Sequence, residues 1–362
     1  MNITSNAEKK VELCLKQLVR TGKVPGIQYV VVGPEGIRYE ACFGVMDVLS
    51  GRPVTPETTF MASSVTKTLT AAAILQLHDR QLLDINNSLS SYYSEQPFGD
   101  EVLIVQLLNQ SSGVPNPMPL RWLHLVSNHD GFDEDDALQR VLARHAALRF
   151  KPGTRYAYSN LSYWLLGKVI ERVSGVEYEK YMREHIFDRL GMSRESIAFV
   201  IPDKDHHACG HLKKWSAMGV LMPLMTDKDI YDKPASGRRR FKAVYMNGPA
   251  YGGMVGTARA FSLFLHDQLT KNTVLFSDAA KALYFSHQTD ASGQAMETTL
   301  GWHLGSAGGI KFYGKPGGGP GYQSNIRIYP DKKIATVWLA NETAVSESTI
   351  HALTNKFDSC FL

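Results

Sequence analysis

The segment Thr58-Thr59-Phe60-Met61-Ala62-Ser63-Ser64-Val65-Thr66-Lys67 runs directly into an apolar stretch, Thr68 to Leu77. The pattern predicts a helix over Ser64–Gln81 with Ser64 and Lys67 stacked on one face. Neither group is reactive alone. A serine hydroxyl is a poor nucleophile, and a lysine amine is ordinarily protonated. Side by side and partly buried, the amine can lose its proton and accept one from the hydroxyl. Ser64 at a helix start also faces the positive end of the dipole, which favours a developing alkoxide. An ordinary N-cap serine looks the same in sequence, so the pair gains meaning only from what the rest of the chain supplies.

Two further segments supply it: Pro152-Gly153-Thr154-Arg155-Tyr156-Ala157-Tyr158-Ser159-Asn160 and Tyr313-Gly314-Lys315-Pro316-Gly317-Gly318-Gly319-Pro320-Gly321-Tyr322. With them the chain resembles the serine β-lactamase and penicillin-binding-protein superfamily. Within it the chain looks like the branch of class C β-lactamases, D-alanyl-D-alanine carboxypeptidases and β-lactamase-like esterases. That family carries S-x-x-K, Y-x-N and a K-T-G or H-x-G element in fixed order. Here they read Ser64-Val65-Thr66-Lys67, Tyr158-Ser159-Asn160 and Lys315-Pro316-Gly317. The segments 107–113, 186–192 and 252–259 resemble the family's connecting phrases.

The resemblance implies a role for each residue. Ser64 is the expected nucleophile. Lys67 and Tyr158 are the expected proton-transfer groups, with the choice of base between them open. Flanked by Lys67 and Lys315, a Tyr158 phenolate would be favoured by two positive charges. Tyr156, two residues earlier, would be packing. Asn160 would bond Lys67 and a substrate oxygen, or cap the following helix. Lys315 would support Tyr158 or hold a substrate carboxylate. Gly317, Gly318 and Gly319 let a substrate lie against the strand backbone. The backbone N–H groups of Ser64 and Gly318 would form the oxyanion hole. Pro316 departs from the usual Thr and removes a hydroxyl that serves the substrate carboxylate in β-lactamases. Lys at 315, rather than the His of many esterases, points the other way.

Periodicity gives a coarse fold. Residues from about Val11 to Thr21 have helical spacing, 26–32 and 37–43 read as strands, and so do Ile310–Lys315, Gln323–Tyr329 and Ile334–Ala340. Helices are expected at Ile104–Leu108, Asp133–His145, Asn160–Ser174, Tyr178–Arg189 and Ser346–Asp358. The expected class is α/β (α+β), β-lactamase/transpeptidase-like: an antiparallel sheet of about five strands flanked by helices, with an inserted mostly helical domain. Residues 1–62 and 245–362 would form the sandwich and 63–244 the insertion, with the active site in the cleft and Lys315 on an inner-facing edge.

The chain has 362 residues, 44% hydrophobic and 20% charged, with net charge +4. That balance gives no reason to invoke nucleic acid, and Arg238-Arg239-Arg240 reads as a solvated loop. Cys14, Cys42, Cys209 and Cys360 are widely spaced, which fits a reducing compartment. No membrane span and no signal-length apolar stretch is visible. The expectation is a cytoplasmic protein, or a periplasmic one if a leader has been removed. His206-His207-Ala208-Cys209-Gly210-His211 matches no standard zinc spacing, and Asp130–Asp136 lacks the EF-hand pattern, so no metal is expected. There is no G-x-S-x-G elbow.

Together these features predict a serine hydrolase working through an acyl-Ser64 intermediate, acting on carboxylic esters and needing no cofactor. The alternative is a β-lactamase or a D-Ala-D-Ala-type peptidase, and a third reading is a non-catalytic scaffold. The partner is a small-molecule ester or amide. Specificity is expected from the loops Pro115–Leu125 and Lys213–Arg240, with Met118, Trp122, Trp215 and Met222 as candidates for an acyl pocket.

Overall fold

The computed structural model describes residues 3–117, 121–344 and 346–362. Its centre is a six-stranded antiparallel sheet drawn from both ends of the chain. In spatial order the strands are His303–Ala307, Ile310–Gly319, Tyr322–Tyr329, Ile334–Ala340, Gly26–Gly33 and Gly36–Gly44. The sixth strand is His303–Ala307, whose short sequence shows no apolar alternation. It covers the first half of the Ile310–Gly319 strand, so Lys315 is not on the outermost strand. The pairing stops at His303 opposite Gly314, however, and leaves Lys315 to Gly319 unpaired on that side.

Gly26–Gly33 is buried along its whole length because its two faces serve two cores. Ile27, Tyr29 and Val31 pack with Val11, Leu15 and Leu18 of the helix Ile3–Arg20 and with Ile350 and Phe357 of the helix Glu347–Asp358. Val30 and Val32 belong to the larger core, which includes the helices Thr66–Asp79 and Ala258–Leu269. Each apolar side chain so buried contributes about 1.5–3 kcal/mol.

Between the two halves of the sheet the chain is mostly helical. Asn160–Ser174 begins on Ser159, whose hydroxyl accepts from the Ser162 N–H, and ends on Gly175 at φ +75°. Asp133 caps the helix Glu134–Arg144 in the same way. The helix expected over Tyr178–Arg189 is instead three pieces. A helical turn over Tyr178–Met182 widens into a π-turn, Arg183–Phe187, and tightens again over Asp188–Leu190. The buried Arg183 guanidinium there donates to the carbonyls of Met192 and Ile197.

The segment expected as the loop Lys213–Arg240 holds a helix, Ala217–Met225, and the hairpin Tyr231–Ala235/Arg238–Phe241. Its arginine run is not a solvated loop. Arg240 is buried and grips both oxygens of Asp47 at 2.8 Å, while Arg238 pairs with Glu342. All four cysteines are free thiols. Among the described residues, no helix is long and apolar enough to cross a membrane.

Candidate active site

The helix carrying Lys67 starts at Thr66, after a tight turn, Ser63–Val65, that holds Ser64. Ser63 has φ +50°, a left-handed conformation that costs a non-glycine residue roughly 1–2 kcal/mol. Every residue from Thr66 to Leu77 is buried, Lys67 completely. A buried amine needs partners, and three surround it. Its Nζ donates to Asn160 Oδ1 at 2.8 Å and to the Tyr251 carbonyl at 2.6 Å, and lies 3.3 Å from Ser64 Oγ. Ser64 Oγ in turn shares a 2.6 Å hydrogen bond with the Tyr158 hydroxyl. Because Ser159 takes the helix cap, Asn160 is not a cap, and its side chain is free for Lys67. Asn116 Oδ1 accepts from Asn160 Nδ2 at 3.3 Å and from its backbone N–H at 3.0 Å, which turns Asn160 Oδ1 towards the amine.

Burial holds the Lys67 amine well below the ordinary lysine range, and the charge of Lys315 adds to the effect. The phenolate expected at Tyr158 is not favoured. Burial pushes its hydroxyl far above the usual tyrosine range, and the bond to Ser64 offsets only part of this. Burial thus works against the charged form of both groups.

Lys315 reaches the same place from the sheet, with Nζ 5.2 Å from the centre of the Tyr158 ring. Burial lowers it to about 8, against a smaller raising effect of Glu347. Its Nζ is 3.1 Å from His303 Nε2, and His303 Nδ1 is 3.3 Å from Glu347 Oε1. Burial and the neighbouring Lys315 lower His303 to about 4, so the imidazole is neutral at neutral pH. With its Nδ1–H given to Glu347, its Nε2 lone pair faces Lys315. Tyr156 is not packing: it is half-exposed, with its hydroxyl 3.3 Å from His303 Nε2. It lines a cleft of about 540 Å³ with His303, Glu347 and His351.

The glycines after Lys315 bring the strand against the serine turn. A Cβ on Gly317 would lie 2.5 Å from the Ala62 carbonyl and 3.3 Å from Ser64 N. Pro316 is paired opposite Asn325 and has no N–H to give the ladder. On its other side the strand is unpaired from Lys315 to Gly319.

Other expectations fare differently. Trp122 is buried against Trp164 and Tyr251, and Met222 is buried too, whereas Trp215 is exposed to solvent. Met118 lies outside the described residues. The three histidines of 206–211 diverge. His206 bonds Asp203, His207 bonds Thr59 and Tyr322, and His211 bonds the Asn341 carbonyl. In the acidic stretch, Glu134 and Asp135 pair with Lys168. The groups missed in sequence, Asn116, the Tyr251 carbonyl, His303 and Glu347, carry no motif. Asn116 and Tyr251 do border phrases with family character, 107–113 and 252–259.

Comparison with known proteins places this geometry. The family model described as Beta-lactamase matches residues 11–358. Penicillin-binding protein 4* of Bacillus subtilis (strain 168) is 25% identical over 323 residues, covering 88% of this chain and 68% of the relative. The octameric penicillin-binding protein homologue from Pyrococcus abyssi is 25% identical, with a TM-score of 0.74 over 95% of this chain and 75% of that one. The D-amino acid amidase from Ochrobactrum anthropi SV3 shares the fold, with a TM-score of 0.77 at 19% identity over 98% of both chains. The chain spans 46% of the length of Protein flp of Staphylococcus aureus (strain MW2), which it matches at 25% identity.

Proposed function

The chain belongs to the beta-lactamase family, and on that premise we propose that it is a serine hydrolase that forms an acyl-enzyme on Ser64 and acts on carboxylic esters. One observation carries the reading: Ser64 Oγ lies 2.6 Å from the Tyr158 hydroxyl and 3.3 Å from a fully buried lysine amine.

A neutral amine has two hydrogens and one lone pair. Asn160 Oδ1 and the Tyr251 carbonyl take the hydrogens, which leaves the lone pair to Ser64. Lys67 accepts the Ser64 proton as Oγ bonds to the substrate carbonyl carbon. The oxyanion that forms is met by the N–H groups of Ser64 and Gly318; one such donor is typically worth about 100- to 1000-fold in rate. As the ester C–O bond breaks, the proton passes from Lys67 through Tyr158 to the leaving oxygen. Water then attacks the acyl carbon as its proton passes to the Tyr158 and Lys67 pair, and the Ser64 Oγ–acyl bond breaks as that proton returns to Oγ, which releases the acid.

Loss of the Thr hydroxyl at Pro316 favours esters over β-lactams. A buried cation at Lys315 favours the second reading, a β-lactamase or D-amino-acid peptidase whose substrate carries a carboxylate. Hydrolysis of a short-chain p-nitrophenyl ester by the wild type and by Ser64→Ala, run beside a cephalosporin and a D-Ala-D-Ala peptide, tests both. Ester turnover lost in Ser64→Ala supports the proposal. Peptide or cephalosporin turnover without ester turnover replaces it with the second reading.

A further inference from the structure

The helix Ala217–Met225 has no charged residue, and its exposed positions form one stripe. Ala217, Val220, Leu221 and Leu224 are spaced i, i+3, i+4, i+7 and all face solvent, while Gly219 and Met222 face inward. Val220, Leu221 and Leu224 are 58%, 51% and 76% exposed, and Trp215, just before the helix, is 84% exposed. The other four tryptophans are buried. Surface helices ordinarily turn their apolar stripe to the core, and this one does the reverse.

The helix is firmly held in that orientation. Ser216 Oγ caps it, accepting from the Gly219 N–H at 3.0 Å. Gly219 sits so close to the Lys213 and Lys214 carbonyls that a Cβ there would clash. Thr226 Oγ1 donates to the Met222 carbonyl at 2.8 Å and closes the other end.

Charge flanks the stripe along the chain. Residues 213–242 hold five lysines and three arginines against three aspartates, a balance of +5 in a chain whose total is +4. Arg238 and Arg240 are ion-paired. Lys228 and Lys233 are exposed, and the Lys214 amine lies 5.2 Å from the Trp215 ring centre.

We propose that this outward stripe and its basic rim dock the protein on the surface of an anionic lipid bilayer. Trp215 and the three aliphatic side chains enter the boundary between headgroups and acyl chains, and the lysines meet lipid phosphates. A span of nine residues is far too short to cross, because a crossing helix needs about 20. A second copy of the chain would also cover an apolar stripe, but two-fold pairing sets the basic rim against itself.

The test is co-sedimentation of the full chain with phosphatidylcholine vesicles, with and without phosphatidylglycerol, followed by tryptophan fluorescence. The expected result is binding only to the anionic vesicles, a blue shift from Trp215, and binding at least about tenfold weaker in high salt. Leu221→Asp/Leu224→Asp is expected to abolish binding while keeping fluorophosphonate labelling of Ser64. If that variant fails to fold, Lys214→Glu/Lys228→Glu on the rim is expected to weaken binding instead. Three results would overturn the proposal: no preference for anionic vesicles, undiminished binding by a folded variant, or a wild-type dimer that the Leu221→Asp/Leu224→Asp change dissolves.

Discussion

Lys67 has three polar neighbours, Asn160 Oδ1, the Tyr251 carbonyl and Ser64 Oγ, and burial holds its amine well below the ordinary lysine range. In the proposed chemistry the neutral form gives its two hydrogens to the first two and its lone pair to Ser64. Lys67→Ala is expected to lower ester turnover by about 10²–10⁴-fold, and Tyr158→Phe by a similar factor, in steady-state assays of folded protein. Loss in neither would remove both from proton transfer. Lys315 adds a pH signature. With its amine lowered to about 8 it is charged below that pH and neutral above it. For an ester bearing a carboxylate, kcat/KM is expected to fall as pH rises through about 8, while a neutral ester shows no such fall. The negative charge of Glu347 raises Lys315, so Glu347→Gln is expected to move that fall to lower pH. Superimposable profiles for Glu347→Gln and wild type would separate Glu347 from the site.

At the scale of elements, the approach of the Ile310–Gly319 strand to the serine turn sets the site. Gly317→Ala puts a methyl against the Ala62 carbonyl and Ser324 Oγ, both fixed by a mutual 2.8 Å hydrogen bond. Turnover is expected to drop by at least about tenfold through displacement of the oxyanion donors, and kcat read against thermal stability distinguishes this from unfolding. The closing helix Glu347–Asp358 is tied to the sheet by Asp358, fully buried, which accepts from the hydroxyls of Tyr29, Tyr329 and Thr336 and faces Arg327. Asp358→Ala strands the buried guanidinium and is expected to cost about 3–5 kcal/mol in a urea melt.

Elements with strong local signals were legible in the sequence: Gly26–Gly33 by its apolar run, and Asn160–Ser174 by its helical spacing, although its cap is Ser159 and not Asn160. His303–Ala307 was not, because that strand exists through pairing with Ile310–Gly314 rather than through its own side chains. The break at Arg183 likewise answers to carbonyls downstream of the helix.

Across the whole molecule, the sheet joins residues 26–44 to residues 303–340, and its strand Ile310–Gly319 brings Gly317 against the turn that holds Ser64. Motifs marked Ser64, Lys67, Tyr158, Asn160 and Lys315 as candidates by residue type and spacing, and the fold brings these five together. The groups that orient them were not legible. Tyr251 acts through a carbonyl that any residue would supply. His303 and Glu347 meet Lys315 only once the fold is complete. Burial works against the phenolate expected at Tyr158, and sequence shows neighbouring charges but not depth of burial. The most direct test of the central claim is to treat the protein with a fluorophosphonate and map the adduct by peptide mass spectrometry, in the wild type and in Lys67→Ala. A stoichiometric adduct on Ser64, formed far more slowly in Lys67→Ala, is the predicted result. No adduct, or one on a different residue, would contradict it.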